Sequence, residues 1–167
     1  MEKSWKKTKA FKKWKKDLKN NKTYKSSKKI VDLCDKSNFC KGTKDIPRKL
    51  LPQIFNANKF AKVIKRNFGI KTRKISMRPR NLKPSQGEIN SDVVNDIIKY
   101  KKVYQNPLVV SKDNYIIDGH HRWAAAKKSR PNKAIPVMVI NAAVNDALGM
   151  AVVTETKRES INMVKKK

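Results

Sequence analysis

Two adjacent histidines, His120 and His121, lie between Gly119 and Arg122, directly after Asp118. Arg122 carries a planar fork that suits two phosphate oxygens, and imidazoles can donate hydrogen bonds or move a proton near neutral pH. Gly119 gives the backbone room to turn. If a strand ends at Asp118 and a helix follows the glycine at once, backbone N–H groups and the positive helix end converge on one point, where an anion is favoured. On this reading Gly119, His121 and Arg122 bind phosphate, Asp118 positions the loop or a metal, and His120 and His121 are candidates for proton transfer. The same residues admit a plainer reading, in which Asp118 caps the helix and the imidazoles satisfy nearby backbone groups.

The flanking sequence supplies elements that would place this loop. Leu108-Val109-Val110-Ser111 and Tyr115-Ile116-Ile117-Asp118 are β-rich runs separated by Lys112-Asp113-Asn114, a hairpin-length turn, so the second strand delivers its end into Gly119. Trp123 to Lys128 has strong helix propensity and Pro131 would end that helix, after which Ile135 to Ile140 reads as another strand. Upstream, Ile75-Ser76-Met77 reads as a strand, Pro79 and Pro84 break the chain, and Val93, Val94, Ile97 and Ile98 mark a helix over 92–100 with Ser91 as its N-cap. Earlier still, Leu50, Leu51, Ile54, Phe55, Phe60, Val63, Ile64 and Phe68 suggest one or two helices interrupted near Pro52 and stopped at Gly69. The last stretch, Asp146 to Val153, would form a short helix, followed by a basic end.

With 42 Lys+Arg against 13 Asp+Glu, the 167-residue chain carries a formal charge of +29, which points to a polyanionic partner. Residues 1–29 alone hold 13 Lys against Glu2 and Asp17, a balance of +11. Like-charge repulsion argues that this arm is mostly disordered when free. Phe11, Trp14 and Leu18 nonetheless stand at i, i+3 and i+7, so an amphipathic helix could form once the charges are neutralised. Lysines such as Lys12, Lys13, Lys15 and Lys16 would release counterions from a nucleic-acid backbone while Trp5 and Trp14 stack on bases; a weaker alternative lays both indoles at a lipid interface, and the plainest is a sticky, solubilising tail. Cys34 and Cys40, spaced C-x5-C, suit neither zinc nor a disulfide scaffold and read as two reduced thiols. No apolar run of about 18 residues and no secretory apolar centre is present, so membrane partnership is not expected and a cytoplasmic protein is. Four stretches result: a basic arm and linker over 1–44, a helical lead-in over 45–73, a small α/β domain over 74–141, and a short helical extension over 142–167.

At the glycine turn the chain resembles the ParB/sulfiredoxin superfamily, whose members share a strand, a glycine turn and a basic helix start, written GERR in partition proteins and GCHR in sulfiredoxins. The corresponding residues are Gly119-His120-His121-Arg122, and the resemblance continues through Asn106-Pro107-Leu108-Val109-Val110, Ala124-Ala125-Ala126 and Ile135-Pro136-Val137. It implies an α/β (α+β) fold, a small mixed sheet with flanking helices, here preceded by a basic arm. It also places Leu82 to Glu88 at a second nucleotide-contacting loop, with Pro84 and Gln86 in it. Glu88, the one carboxylate there, is either a base that activates water or a hydroxyl, or a charge favouring a helix N-terminus. Gln86 could orient substrate.

Departures from the family narrow the activity. Sulfiredoxin chemistry would need a cysteine where His120 stands, and the 26 residues from Ala142 to Lys167 are too short for the helix-turn-helix of partition proteins. What the resemblance leaves is a ParB-like nuclease or nucleotide phosphohydrolase held on nucleic acid by its arm, with Mg²⁺ or Mn²⁺ and a nucleoside di- or triphosphate as candidate ligands. The alternatives are a small-molecule kinase resembling free-serine kinases, whose loop also reads DGHHR, and a non-catalytic DNA-binding or virion-associated module. Abundant lysine and asparagine with few glycines would suit an AT-rich genome such as that of a phage, which would add the virion as a location.

Overall fold

A computed structural model describes residues 4–20, 33–35, 39–54, 56–100 and 106–165. Its centre is a five-stranded mixed sheet flanked by five helices, in agreement with the fold class expected from the sequence. The strands are β1 (Thr72–Met77), β2 (Lys83–Pro84), β3 (Leu108–Ser111), β4 (Tyr115–Asp118) and β5 (Ile135–Ile140), in the spatial order β1-β5-β3-β4-β2. β1 runs antiparallel to β5, and β3 antiparallel to β4; β5 lies parallel to β3, and β2 parallel to β4. The helices are α1 (Lys9–Asn20), α2 (Ala57–Phe68), α3 (Ser91–Lys99), α4 (His120–Ser129) and α5 (Val144–Lys165).

Alternation along the central strands divides their side chains between two cores. Val109, Ile117 and Ile140 join a cluster with residues of α1, α2 and α5, whereas Leu108, Val110, Ile116, Val137 and Val139 join residues of α3 and α4 on the other face. All four residues of β3 are buried, as expected for a strand covered by helices on both sides. α2 begins at Asn56, whose side chain accepts the Lys59 N–H, and ends at Gly69 in the left-handed region. The expected strand over 75–77 extends back to Thr72, and α3 is capped by the Asn90 side chain, so Ser91 is its first residue rather than its cap.

The basic arm departs most from expectation. Residues Ser4–Lys7 form a 3-10 turn and Lys9–Asn20 a helix, and Trp5, Phe11 and Trp14 are buried in the first core. Trp5 meets Phe11 edge-on with 5.1 Å between ring centroids, both rings pack on Gly149 of α5, and the Trp14 Nε1–H donates to the Leu50 carbonyl at 2.6 Å. Each large aromatic buries on the order of 150–250 Å². That gain outweighs repulsion among lysines that remain in water, where charge interactions are weak. Trp5 and Trp14 therefore hold the arm to the domain and are not presented to bases or lipid.

A second correction concerns the cysteines, which are joined as Cys34–Cys40 rather than free. Leu33 and Cys40 both bury against the α3/α4 face, which brings the two cysteine Cα atoms to 5.0 Å, within bridging reach. Ile30 to Asp32, Phe55 and the last two lysines lie outside the described residues. The final helix is longer than expected, 22 residues from Val144 to Lys165.

The docking of α1 rests on the absence of a side chain at Gly149, where a Cβ would lie 2.6 Å from the Trp5 ring and 2.7 Å from Phe11. Gly149→Leu is expected to lift Trp5 and Phe11 off α5, red-shifting tryptophan emission and opening the first 20 residues to proteolysis. An unchanged emission maximum and cleavage pattern would contradict this account of the docking.

Candidate functional site

β4 ends at Asp118, Gly119 turns with φ 100°, and α4 starts immediately at His120, so both histidines and Arg122 occupy the first turn of the helix. A Cβ on Gly119 would lie 2.5 Å from Leu108 Cδ2 and 3.0 Å from the Arg122 guanidinium, so both the turn and the close approach require glycine. Asp118 does not cap the helix. Its Oδ1 accepts the Ile54 N–H at 3.3 Å, tying the 51–54 segment to the end of β4, and its Oδ2 lies 3.7 Å from Arg122. Burial raises the Asp118 pKa, opposed by the Ile54 hydrogen bond and by Arg122. Arg122 also donates to the Asn106 carbonyl.

The histidines organise the loop that follows β2. His120 Nε2 accepts the backbone N–H groups of both Ser85 and Gln86 at 3.1 Å, and His121 Nε2 accepts that of Asn90 at 3.1 Å. Each ring is therefore neutral with its proton on Nδ1. Burial, reinforced by His121, lowers the His120 pKa to about 3; burial, reinforced by Arg48, lowers that of His121 to about 4. An Nε2 already accepting two N–H groups inside the protein cannot also serve as a base, so His120 is a positioning residue rather than the proton carrier expected from the sequence. The same commitment withdraws the Nε2 of His121 from acid–base work.

A cavity of about 290 Å³ opens beside this turn, lined among others by Arg48, Gln53, Gln86, Asp118, His121 and Arg122. Gly119 also lines it, so the expected phosphate-binding set of Gly119, His121 and Arg122 shares one wall. Gln86, 4% exposed, reaches the cavity, whereas Pro84 is buried in β2. Glu88 is not among the described residues that line it; its carbonyl accepts a hydrogen bond from the Gln86 amide. That placement does not support Glu88 as a base at this cavity. Arg48, Gln53, Ser85 and Asn90 escaped sequence reasoning. Arg48 sits in a 3-10 turn that nothing near the glycine turn announces.

The donor set suits an anion. Two arginines, Arg48 and Arg122, and the N-terminal turn of α4 line a cavity bordered by one carboxylate, Asp118, among the described residues. No group of three or more His, Cys, Asp or Glu among the described residues is placed to hold a metal ion, and Asp118 is already engaged. These residues do not make a dedicated site for Mg²⁺ or Mn²⁺.

Both imidazoles bind fewer protons folded than unfolded, so their contribution to stability is complete above pH 6.5, drains away as pH falls below that, and is gone below about 4 for His121 and about 3 for His120. Urea midpoints should therefore decline from pH 7 to 4.5. His121→Gln, whose amide oxygen reaches the Nε2 position and can accept the Asn90 N–H without titrating, should lose part of that decline, and a decline identical to the parent's would count against the arrangement. His120→Ala strands two buried N–H groups and should cost about 2–5 kcal/mol in urea denaturation. No known family model, curated protein or solved structure matches this chain.

Proposed function

We propose that this chain is a phosphate-handling domain of the ParB/sulfiredoxin type, which takes a nucleotide or a nucleic-acid phosphate into the cavity between Arg48 and Arg122. The observation that carries this reading is that two arginines and a helix N-terminus line that one cavity. The sequence Asp118-Gly119-His120-His121-Arg122 supports it from the covalent side, and the charge of +29 supports an anionic partner. A volume of about 290 Å³ suits a phosphate with part of its attached group and is too small for a duplex.

As a nuclease or nucleotide phosphohydrolase, the domain would use Arg122 and Arg48 to neutralise the transferring phosphoryl group. Gln86 and Asp118 would orient the attacking water. The second reading is a module that holds phosphate without cleaving it. What favours it is specific: both Nε2 atoms are occupied by backbone N–H groups, and Glu88 does not line the cavity. The latter also weakens the small-molecule kinase alternative in the form that takes Glu88 as the base beside the substrate hydroxyl.

Calorimetric titration with ADP, ATP and a 5′-phosphorylated oligonucleotide is the direct test. Arg122→Ala and Arg48→Ala should each weaken binding by about ten- to a hundredfold, the worth of a charge-assisted hydrogen bond. Phosphate release or strand cleavage in parallel assays would identify an enzyme, and saturable binding without turnover would identify the module. If none of these ligands binds, or both arginine variants bind as the parent does, the proposal is wrong.

A further inference from the structure

α1 presents one face to the protein and the opposite face, almost entirely lysine, to water. Phe11 and Trp14 are buried and Leu18 packs against the same core, while Lys9, Lys12, Lys13, Lys15, Lys16 and Lys19 are all exposed. Lys9, Lys13 and Lys16 follow one another at i, i+4 and i+7, as do Lys12, Lys16 and Lys19, which lines them along the side away from the core. Lys6 does not join them, because it pairs with Asp146 at 3.5 Å. The helix is fixed in place at its far side: Trp14 bonds Leu50, in the same 48–54 segment that carries Arg48 into the cavity. The lysine row and the cavity wall are thus joined through one stretch of backbone.

We propose that this outer face of α1 is a docking surface for double-stranded nucleic acid, which it grips by the phosphate backbone without reading bases. The inference rests on the proposed function only in giving that bound polymer a nearby phosphate cavity; the surface itself stands on its own geometry. The ten helical steps from Lys9 to Lys19 rise about 15 Å, and the same length of duplex carries about nine phosphates, a spacing that six lysine side chains can follow. Single-strand binding draws on aromatic platforms, and membrane binding on inserted apolar side chains. The aromatic residues of this segment that would serve either purpose, Trp5, Phe11 and Trp14, are spent on α5 and Leu50 instead. What remains outside is charge at regular intervals, complementary to a duplex.

The test uses the full chain and a fluorescein-labelled 20-base-pair duplex, with anisotropy read across a range of NaCl concentrations. Replacing Lys9, Lys12, Lys13 and Lys16 together by Gln should lower the magnitude of the log–log salt slope by about 3–4. It should also weaken duplex binding at least tenfold at 150 mM salt, with helical circular dichroism retained. As a charge-matched control, Lys59, Lys62, Lys65 and Arg66 of α2 become Gln in a second protein, which should keep most of the parent slope. An equal loss in both proteins would show that net charge and not this face does the binding, and would overturn the proposal. So would tighter binding to a 20-nucleotide single strand with quenched tryptophan emission, or a blue-shifted emission on phosphatidylserine vesicles. The cavity is judged separately, because the α1 variant should bind ATP as the parent does if the cavity reading holds, whatever happens to the duplex.

Discussion

Two imidazole nitrogens accept three backbone N–H groups, and the position of the loop from Ser85 to Asn90 depends on them. A buried N–H without an acceptor is costly, and few side chains offer a neutral acceptor of the right reach from a helix start. Because the acceptors stand in the first turn of α4, the same few bonds fix the loop against the helix that carries Arg122. From the other side the loop is held by the 43–46 segment: Thr43 Oγ donates to the Gln86 carbonyl, Ile46 N–H to that of Ser85, and Gly87 N–H back to Ile46. The cavity is therefore a junction of three pieces of chain, and the histidines work in it chiefly by staying uncharged.

A large excess of cationic side chains folds here because the cations are given other work or left in water. Lys83 and Lys44 lie over the Tyr115 ring at 4.2 and 5.0 Å, and Lys127 lies over Phe39 and Trp123 while its Nζ donates to the Phe39 carbonyl. Contacts of this kind are worth on the order of 0.5–2 kcal/mol each, and they use the alkyl stems as cover for apolar surface. Burial lowers the Lys127 pKa, which is the expected sign for a cation brought under a loop. The α1 lysines take the opposite course and keep their hydration.

What could be read in the sequence depended on how far away the partner was. β3, β4 and β5 were legible because β-branched runs between turn residues declare themselves locally, and the glycine turn was legible because its members are adjacent. The spacing of Phe11, Trp14 and Leu18 was visible too, yet the surface that receives Phe11 belongs to α5, some 130 residues later. Local charge therefore argued for disorder where tertiary burial decided for a helix. Arg48 enters the cavity through a parallel bridge between Ile46 and Gln86, a pairing that no local pattern encodes. The proton-moving roles expected of His120 and Glu88 find no support in their placement, for a related reason. Residue type suggests what a side chain can do, while its hydrogen-bond partners decide what it is free to do.

The strand order has a consequence for assembly. One border of the sheet is β2, only two residues long; the other is β1, where Arg73 and Lys74 are exposed side by side. A short border and a cationic border are both poor templates for a further strand from another chain. Copies of the chain brought close together would therefore find no ready seam for strand addition at either of these borders.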